Sequence, residues 1–108
     1  MKQDIAIFTP MANEEKNAKK FVSEILSYKK FFRKFMYFVI LDNASKDETF
    51  NIVKKIEKKN KNFKVIWCPK NKTVVDAYME GYKNCYKTKY KWILEIDAGG
   101  SHNPKNIK

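Results

Sequence analysis

Apolar residues fall into four short runs separated by longer segments of mixed character. The runs cover residues 5–8, 36–41, 63–67 and 91–96, and nearly continuous apolar runs of this length are typical of strands buried on both faces. In the intervening segments apolar residues recur every three or four positions, which predicts amphipathic helices. The predicted order is strand, helix, strand, helix, strand, helix, strand.

Each predicted helix is preceded by a recognisable start signal. Asn13 comes before two glutamates, so it is the expected N-cap of the first helix, with acidic residues in the first turn. Ser45 with Glu48, and Thr73 with Asp76, have the spacing of a capping box for the second and third helices. These signals predict that helices begin shortly after residues 13, 45 and 73.

Alternation of strands and helices predicts right-handed crossovers and a mainly parallel sheet with helices on both faces. The expected fold class is therefore α/β, a Rossmann-like three-layer α/β/α arrangement formed by a single domain, residues 1–108. In such sheets ligands bind beyond the carboxyl ends of the strands. Polar residues cluster after three of the four predicted strands, at residues 9–15, 42–47 and 97–102. The pattern predicts one cleft lined by these three clusters.

The chain has 108 residues and a net charge of +11, with 44% hydrophobic and 15% aromatic residues. That composition is too apolar for a disordered chain. All the basic residues except Arg33 are lysines, whereas proteins that recognise nucleic acid usually rely on arginine. We therefore expect a solvated basic surface and no nucleic-acid partner. A basic surface that attracts nucleotides, nucleic acid or anionic lipid is the alternative.

Neither a membrane span nor a disulfide framework is expected. No apolar run approaches the roughly 20 residues that cross a bilayer. The two cysteines, Cys68 and Cys85, have no metal-binding spacing, and we interpret them as small apolar residues in a reducing compartment, the cytoplasm. The tryptophans, Trp67 and Trp92, are predicted to be core aromatics.

Four segments, in order and spacing, resemble the family-2 glycosyltransferases of the GT-A fold. IAIFTPMANEE is similar to that family's first strand and its P-x-x-N-E-E turn, and VILDNASKDET resembles its V-D-D-G-S-x-D-x-T segment. NKTVVDAYMEGYKNC resembles its N-x-G-x-x-x-A-x-x-x-G helix, with Thr73 where glycine is usual. WILEIDAGGSH is similar to the strand that leads into its D-x-D loop. The resemblance extends over nearly the whole chain and, with the crossover rule, implies the strand order 3-2-1-4.

The resemblance also implies a site for a nucleoside-diphosphate sugar, UDP- or GDP-linked. Asp42 is expected to accept a hydrogen bond from the base, because uracil and guanine offer ring N–H donors. Asp97 is expected near the ribose or a metal-bound diphosphate, whereas Asp47 is expected to hold its own loop together. The site residues implied in this way are Thr9, Pro10, Asn13, Glu14, Asp42, Asn43 and Asp97.

The metal site departs from the family pattern at Gly99, which stands where the second aspartate of D-x-D is usual. In the family that carboxylate binds Mn²⁺ or Mg²⁺, which neutralises the departing diphosphate. Asp97 is left as the one matching ligand, with Glu95 and His102 as neighbouring candidates outside the family pattern. A metal held by Asp97, diphosphate and water is the favoured interpretation. A metal-independent site and an inactive site are the alternatives.

The resemblance covers the family's donor-binding half, and no residue here matches its catalytic base. We therefore expect a donor-binding domain without the acceptor half, so whether the chain is itself an enzyme stays open. The loop IDAGGSHNP resembles that of polyprenyl-phosphate sugar transferases, which implies a lipid-linked acceptor at the inner face of a membrane. An uncovered fourth strand would also leave an apolar edge, which predicts self-association.

Three functions follow in order of preference. The first is the nucleotide-sugar-binding domain of an inverting glycosyltransferase. The second is a nucleotide-binding module without catalysis, favoured by Gly99. The third is a basic nucleic-acid-binding domain, favoured by charge alone. Purely structural roles compete at single positions, since Asn13 could cap a helix and Asp42 could cap a turn without any ligand.

Overall fold

A computed structural model describes residues 2–42, 46–70 and 73–96. It has four strands, β1 (Asp4–Pro10), β2 (Lys34–Leu41), β3 (Phe63–Trp67) and β4 (Trp92–Glu95). Three α-helices connect them, α1 (Ala18–Leu26), α2 (Thr49–Lys59) and α3 (Val74–Thr88), and a 3-10 helix at Ser27–Phe31 follows α1. None of the helices in this part of the chain is long and apolar enough to span a bilayer.

The four strands form one parallel sheet in the order β3-β2-β1-β4. This confirms the predicted α/β class and strand order. Strand β1 lies in the middle, with Asp4 aligned on Lys34 of β2 and Pro10 aligned on Ile40. Because β1 and β2 are aligned along their whole length, the loops that follow them begin at the same level of the sheet.

Side chains alternate between two apolar layers, one on each face of the sheet. The odd-numbered residues of β1 and β2, such as Ile7, Tyr37 and Val39, pack against α1 and α2. The even-numbered residues, such as Phe8 and Ile40, pack under α3. Since both faces are covered, nearly every position of β1 and β2 is buried, which explains their continuous apolar sequence.

Tyr37 places a polar atom inside the first layer. Its hydroxyl donates a hydrogen bond to Thr9 Oγ1 over 2.9 Å, and both side chains are fully buried. Burial raises the pKa of the Tyr37 phenol far above its usual range, so the phenol stays neutral. The bond gives each hydroxyl the partner that a buried polar group requires.

Of three sequence-based expectations for the starts of helices, two are corrected and one is confirmed. Asn13 is not an N-cap, because α1 begins five residues later at Ala18 and Asn13 has φ = 54°. Glu48 is the N-cap residue of α2 rather than its third residue, so the expected capping box does not start that helix; Ser45 itself lies outside the described residues. The box of Thr73 and Asp76 is confirmed at the start of α3.

The prediction that both tryptophans are core aromatics is wrong. Trp67 is 46% exposed and Trp92 is 51% exposed, because each lies on an outer strand of the sheet, where only one side has a neighbouring strand. Neither Cys68 nor Cys85 forms a disulfide; Cys85 is buried, as expected for a small apolar residue, whereas Cys68 is half-buried. Burial raises the pKa of the Cys85 thiol to about 12, so it is an unreactive apolar residue.

Gly81 allows α3 to approach the sheet closely. A Cβ atom at this position would lie 2.1 Å from Cδ2 of the Phe8 ring, closer than any real contact. We predict that Gly81→Ala lowers the free energy of unfolding by about 1–2 kcal/mol, since overpacking outweighs the better helix propensity of alanine. Chemical denaturation checks this, with Lys83→Ala on the exposed side of α3 as the control. An unchanged or higher stability of Gly81→Ala would contradict the close packing.

Candidate functional site at the carboxyl edge of the sheet

The carboxyl ends of the strands lie side by side at one edge of the sheet. The Met11 N–H donates to Ile40 O over 3.0 Å, and the Ile96 N–H donates to Phe8 O over 3.0 Å. Loop 1 (residues 11–17) therefore starts beside loop 2 (in its described part, residue 42 and residues 46–48), and β4 ends on the other side of β1. Asp42 is the first residue of loop 2 and is half-buried. Three chain segments thus reach the edge where a parallel sheet binds its ligands.

Asn13 shapes loop 1 through a contact with loop 2. Its side-chain Oδ1 accepts a hydrogen bond from the Lys46 N–H over 2.8 Å. The backbone of Asn13 is left-handed, with φ = 54°, a conformation that asparagine adopts more readily than most residues. The residue predicted as a helix cap therefore bridges the two loops instead.

Asp47 and Thr49 form a second bridge between the loops. Asp47 Oδ1 accepts hydrogen bonds from the Thr49 N–H over 2.9 Å and from the Thr49 hydroxyl over 2.5 Å. Its other oxygen, Oδ2, accepts from the Glu15 N–H over 3.1 Å. Thr49 Oγ1 in turn accepts from the Glu14 N–H over 2.8 Å. The pair thus satisfies two consecutive amides of loop 1 from the start of α2.

This bridge confirms part of the expectation for Asp47 and adds a function that the sequence did not indicate. Asp47 holds its own loop, through Thr49, and also holds loop 1, through Glu15. Hydrogen bonds, chiefly from the Thr49 hydroxyl and then from backbone N–H groups, lower the pKa of the Asp47 carboxyl. Thr49 was missed, although an aspartate two residues before a threonine at a helix start is a known turn signal.

The predicted site residues are placed as follows. Thr9 is buried and bonded to Tyr37, Pro10 ends β1, and Asn13 and Glu14 lie in loop 1. Asp42 opens loop 2 beside Ile40 and Leu41 at the end of β2. Two predicted residues, Asn43 and Asp97, lie outside the described residues, as do Gly99 and His102. The structure therefore brings together the part of the predicted site that belongs to the first two loops.

A metal site is not found in the described part of the chain. Within residues 2–42, 46–70 and 73–96, no group of three or more His, Cys, Asp or Glu side chains could hold a metal ion. Glu95, at the end of β4, is the described carboxylate nearest in sequence to Asp97. The Mn²⁺ or Mg²⁺ site thus depends on Asp97 and stays a prediction.

Comparison with known proteins identifies the family. Residues 6–108 match the family described as "Glycosyl transferase family 2", and the chain therefore belongs to glycosyltransferase family 2. It is also 34% identical over 100 residues to an uncharacterized protein of Methanocaldococcus jannaschii. That alignment covers 91% of this chain and 41% of the archaeal protein, so the chain spans about two-fifths of that relative's length.

The Asp47 bridge predicts a specific pH dependence of stability. Because the folded-state pKa of Asp47 lies below its ordinary value of 3.8, its stabilising contribution is present above pH 3.8 and is lost as the pH falls through the folded-state pKa. We expect Asp47→Ala to unfold more easily than the native chain at neutral pH, and the difference to shrink below pH 3.8.

Thermal unfolding across this pH range measures the effect. Glu48→Ala removes a neighbouring carboxylate that accepts a hydrogen bond from Asn51 within α2 and serves as the control. Hydrogen exchange provides a second measurement, because the Glu15 and Thr49 amides should exchange faster in Asp47→Ala. Equal exchange in the two proteins would show that the bridge does not hold the loops.

Proposed function

We propose that this chain binds a nucleoside-diphosphate sugar at the carboxyl edge of its sheet, as the donor-binding domain of a glycosyltransferase. Membership of glycosyltransferase family 2 supports the reaction class. The observation that carries the proposal is the pair of bridges from Asn13 and Asp47, which fix loop 1 against loop 2 beside Asp42. Loops fixed in this way form a pre-organised rim, and pre-organisation reduces the entropy lost on binding.

The chemistry at this edge is a displacement at the anomeric carbon of the donor sugar. An acceptor oxygen forms a bond to that carbon while the bond to the diphosphate breaks, and the nucleoside diphosphate leaves with the bonding electrons. The acceptor oxygen loses its proton to a catalytic base. We do not assign that base to a residue of this chain. The residues here would bind and orient the donor: Asp42 would accept a hydrogen bond from the base, and Asp97 is the residue that we expect to act on the diphosphate. Mn²⁺ or Mg²⁺ would supply positive charge there.

Charge favours this assignment. A diphosphate is an anion, and the chain carries a net charge of +11. Lys16 and Lys46 are exposed in loops 1 and 2, but the same two loops carry five carboxylates, Glu14, Glu15, Asp42, Asp47 and Glu48. The attraction of an anion therefore comes from the basic charge of the whole chain and not from the rim of the site. We also propose, from the resemblance of the IDAGGSHNP loop, that the acceptor is lipid-linked and that transfer takes place at the cytoplasmic face of a membrane.

Isothermal titration calorimetry with UDP, GDP and CDP, each with and without Mn²⁺, tests the proposal. We expect one nucleotide to bind at a single site and the other two to bind more weakly. A nucleotide-binding module without catalysis is the second candidate, favoured by Gly99 in place of a metal-binding aspartate. It is supported if a nucleotide binds but the sugar carried by the corresponding nucleotide sugar leaves the affinity unchanged, whereas a donor-binding domain should favour one sugar. Absence of binding by all three nucleotides would contradict both functions.

Asp42→Ala is expected to weaken every ligand that carries the preferred base. Losing a charge-assisted hydrogen bond costs roughly 1.5–3 kcal/mol, which is about a tenfold to hundredfold loss of affinity. The effect should be the same in chelator and in Mn²⁺, since Asp42 contacts the base. Asp4→Ala, at the opposite end of β1, removes an equal charge and is the control. Similar losses in the two variants would indicate a general electrostatic effect rather than base recognition.

Asp97→Asn is expected to have opposite effects with and without metal. In chelator, the Asp97 charge repels a diphosphate, so its removal should leave binding unchanged or tighter. In Mn²⁺, Asp97 would help to hold a cation that offsets the diphosphate charge, so the same change should weaken binding. Calorimetry in both buffers measures this. Because Gly99 offers no second carboxylate, an identical effect in chelator and Mn²⁺ would exclude Asp97 as a metal ligand.

A further inference from the structure

Lysine is concentrated where the second helix connects to the third strand. Residues 54–64 read Lys-Lys-Ile-Glu-Lys-Lys-Asn-Lys-Asn-Phe-Lys. Six lysines and one glutamate give this segment a charge of +5, nearly half of the net charge of +11. All six lysines except Lys54 are exposed. A charge density this high on one segment attracts anionic partners.

Contacts between α2 and β3 fix the side of the helix from which some of these lysines project. Glu57 Oε2 accepts a hydrogen bond from the Val65 N–H over 2.7 Å, and Glu57 Oε1 accepts one from Lys54 Nζ over 2.7 Å. At roughly 100° per residue, Lys54 and Lys58 are rotated about 60° and 100° from Glu57, away from the buried side of the helix. These two lysines therefore lie beside the outer edge of β3.

Lys61 and Lys64 continue this line of charge along β3. Both are exposed, Lys61 in the turn before the strand and Lys64 on the strand itself. Burial works against ionisation of Glu57, yet hydrogen bonds from Lys54 and a backbone N–H, together with the charges of Lys54 and Lys64, hold the pKa of its carboxyl below its usual value. The four lysines thus surround one carboxylate that is already bonded within the chain. We call them the basic row: Lys54, Lys58, Lys61 and Lys64.

The backbone of β3 is not the group that this side offers to a partner. The Phe63 N–H donates a hydrogen bond to Asn60 O over 3.4 Å. The outward N–H of Val65 is occupied by Glu57. A turn and a carboxylate therefore satisfy backbone groups that an added strand would need. A contact along this side relies on side chains rather than on strand pairing.

Trp67 adds a large aromatic side chain to the same side. It ends β3, packs edge-on against the Phe50 ring with 5.4 Å between centroids, and is 46% exposed. Tryptophan is enriched at the headgroup level of bilayers, where its amphipathic ring is favourable. Nucleic acid also stacks on aromatic rings, but the basic row contains no arginine, the residue whose planar fork suits phosphodiesters. Lysines with an exposed tryptophan therefore favour an anionic membrane over nucleic acid.

The position of Trp67 relative to the donor site also favours a membrane. The N–H of Cys68, the next residue, donates to Leu41 O over 2.7 Å, so this end of β3 adjoins Asp42. Because neighbouring strands are about 4.8 Å apart, the carboxyl ends of β2 and β1 lie roughly 5 and 10 Å inward of β3. A bilayer lying along β3 would leave the carboxyl edge of the sheet open to solution and close to lipid headgroups.

We propose that the basic row and Trp67 form a contact surface for an anionic phospholipid membrane. The lysine ammonium groups interact with lipid phosphates, and the indole ring inserts at the level of the headgroups. Each lysine near such a surface strengthens binding by about fivefold. This inference goes beyond the proposed function, because the contact lies on a different side of the sheet from the donor site and forms without nucleotide.

Co-sedimentation with vesicles of phosphatidylcholine, with and without phosphatidylglycerol, tests the contact. We expect binding to the anionic vesicles alone, and release at about 1 M salt, where the Debye length falls to roughly 3 Å. A triple variant with Lys58→Gln, Lys61→Gln and Lys64→Gln should bind roughly a hundredfold more weakly. It keeps the ion pair between Lys54 and Glu57, and circular dichroism with thermal unfolding establishes that it is folded.

A matched triple variant controls for net charge. Lys83→Gln, Lys87→Gln and Lys89→Gln remove the same charge from exposed positions of α3 and the turn that follows it. This variant should bind anionic vesicles within about threefold of the native chain, because charges far from the contact are screened.

The two tryptophans of the chain report which side meets the bilayer. Trp92→Phe leaves Trp67 as the fluorescent tryptophan, and Trp67→Phe leaves Trp92. The two rings are similarly exposed, at 46% and 51%, so each variant is the control for the other. We expect anionic vesicles to shift the emission of Trp67 to the blue and brominated acyl chains to quench it, with neither effect on Trp92.

Four results would overturn the proposal. The first is no binding to anionic vesicles at low salt, which would make the basic row a solvated surface. The second is an equal loss of binding in the two triple variants, which would show attraction by net charge alone. The third is a blue shift and quenching of Trp92 in place of Trp67. The fourth is tighter binding to a single-stranded oligonucleotide than to vesicles at equal phosphate concentration. Vesicle binding by a chain that binds no nucleotide would still support the proposal, and would contradict the proposed function alone.

Discussion

Strand β1 is buried on both faces and along both sides, and its burial determines where the neighbouring strands, helices and loops can lie. Seven residues lie between β2 and β4, under α3 on one face and under α1 and α2 on the other. Apart from Asp4 and Thr9 near its ends, β1 is therefore apolar, and it can place polar side chains only where it ends. Its parallel alignment with β2 then fixes loop 1 and loop 2 at the same level. The position of the site follows from the packing of the core.

The two loops gain a defined shape from bonds between them rather than from capping within each helix. Asn13 and Asp47 each accept a backbone N–H from the other loop, so loss of either side chain affects both loops. This arrangement leaves α1 and α2 without side-chain caps of the usual kind. The side-chain oxygens of Asn13 and Asp47, which could have capped helix ends, instead hold loop 1 and loop 2 together.

Sequence reasoning succeeded where the physical cause is local. The four apolar runs predicted the four strands. Thr73 and Asp76 predicted the start of α3, because the hydrogen bonds between these two residues span only three positions of the chain. It failed where the cause is distant along the chain. Asn13 bonds Lys46, 33 residues away, and nothing near Asn13 indicates this. Trp67 and Trp92 were placed in the core because hydropathy does not distinguish an edge strand from a central one.

Binding of a nucleotide at the carboxyl edge of the sheet can be measured residue by residue, by nuclear magnetic resonance of the ¹⁵N-labelled chain titrated with UDP and with GDP. We expect saturable shifts for one of the two nucleotides at the amides of Met11, Asn13, Asp42 and Lys46, with little change at Lys34 and Phe63 at the other end of the sheet. Shifts spread over exposed lysines and abolished by salt would contradict it, since they would show charge attraction without a site.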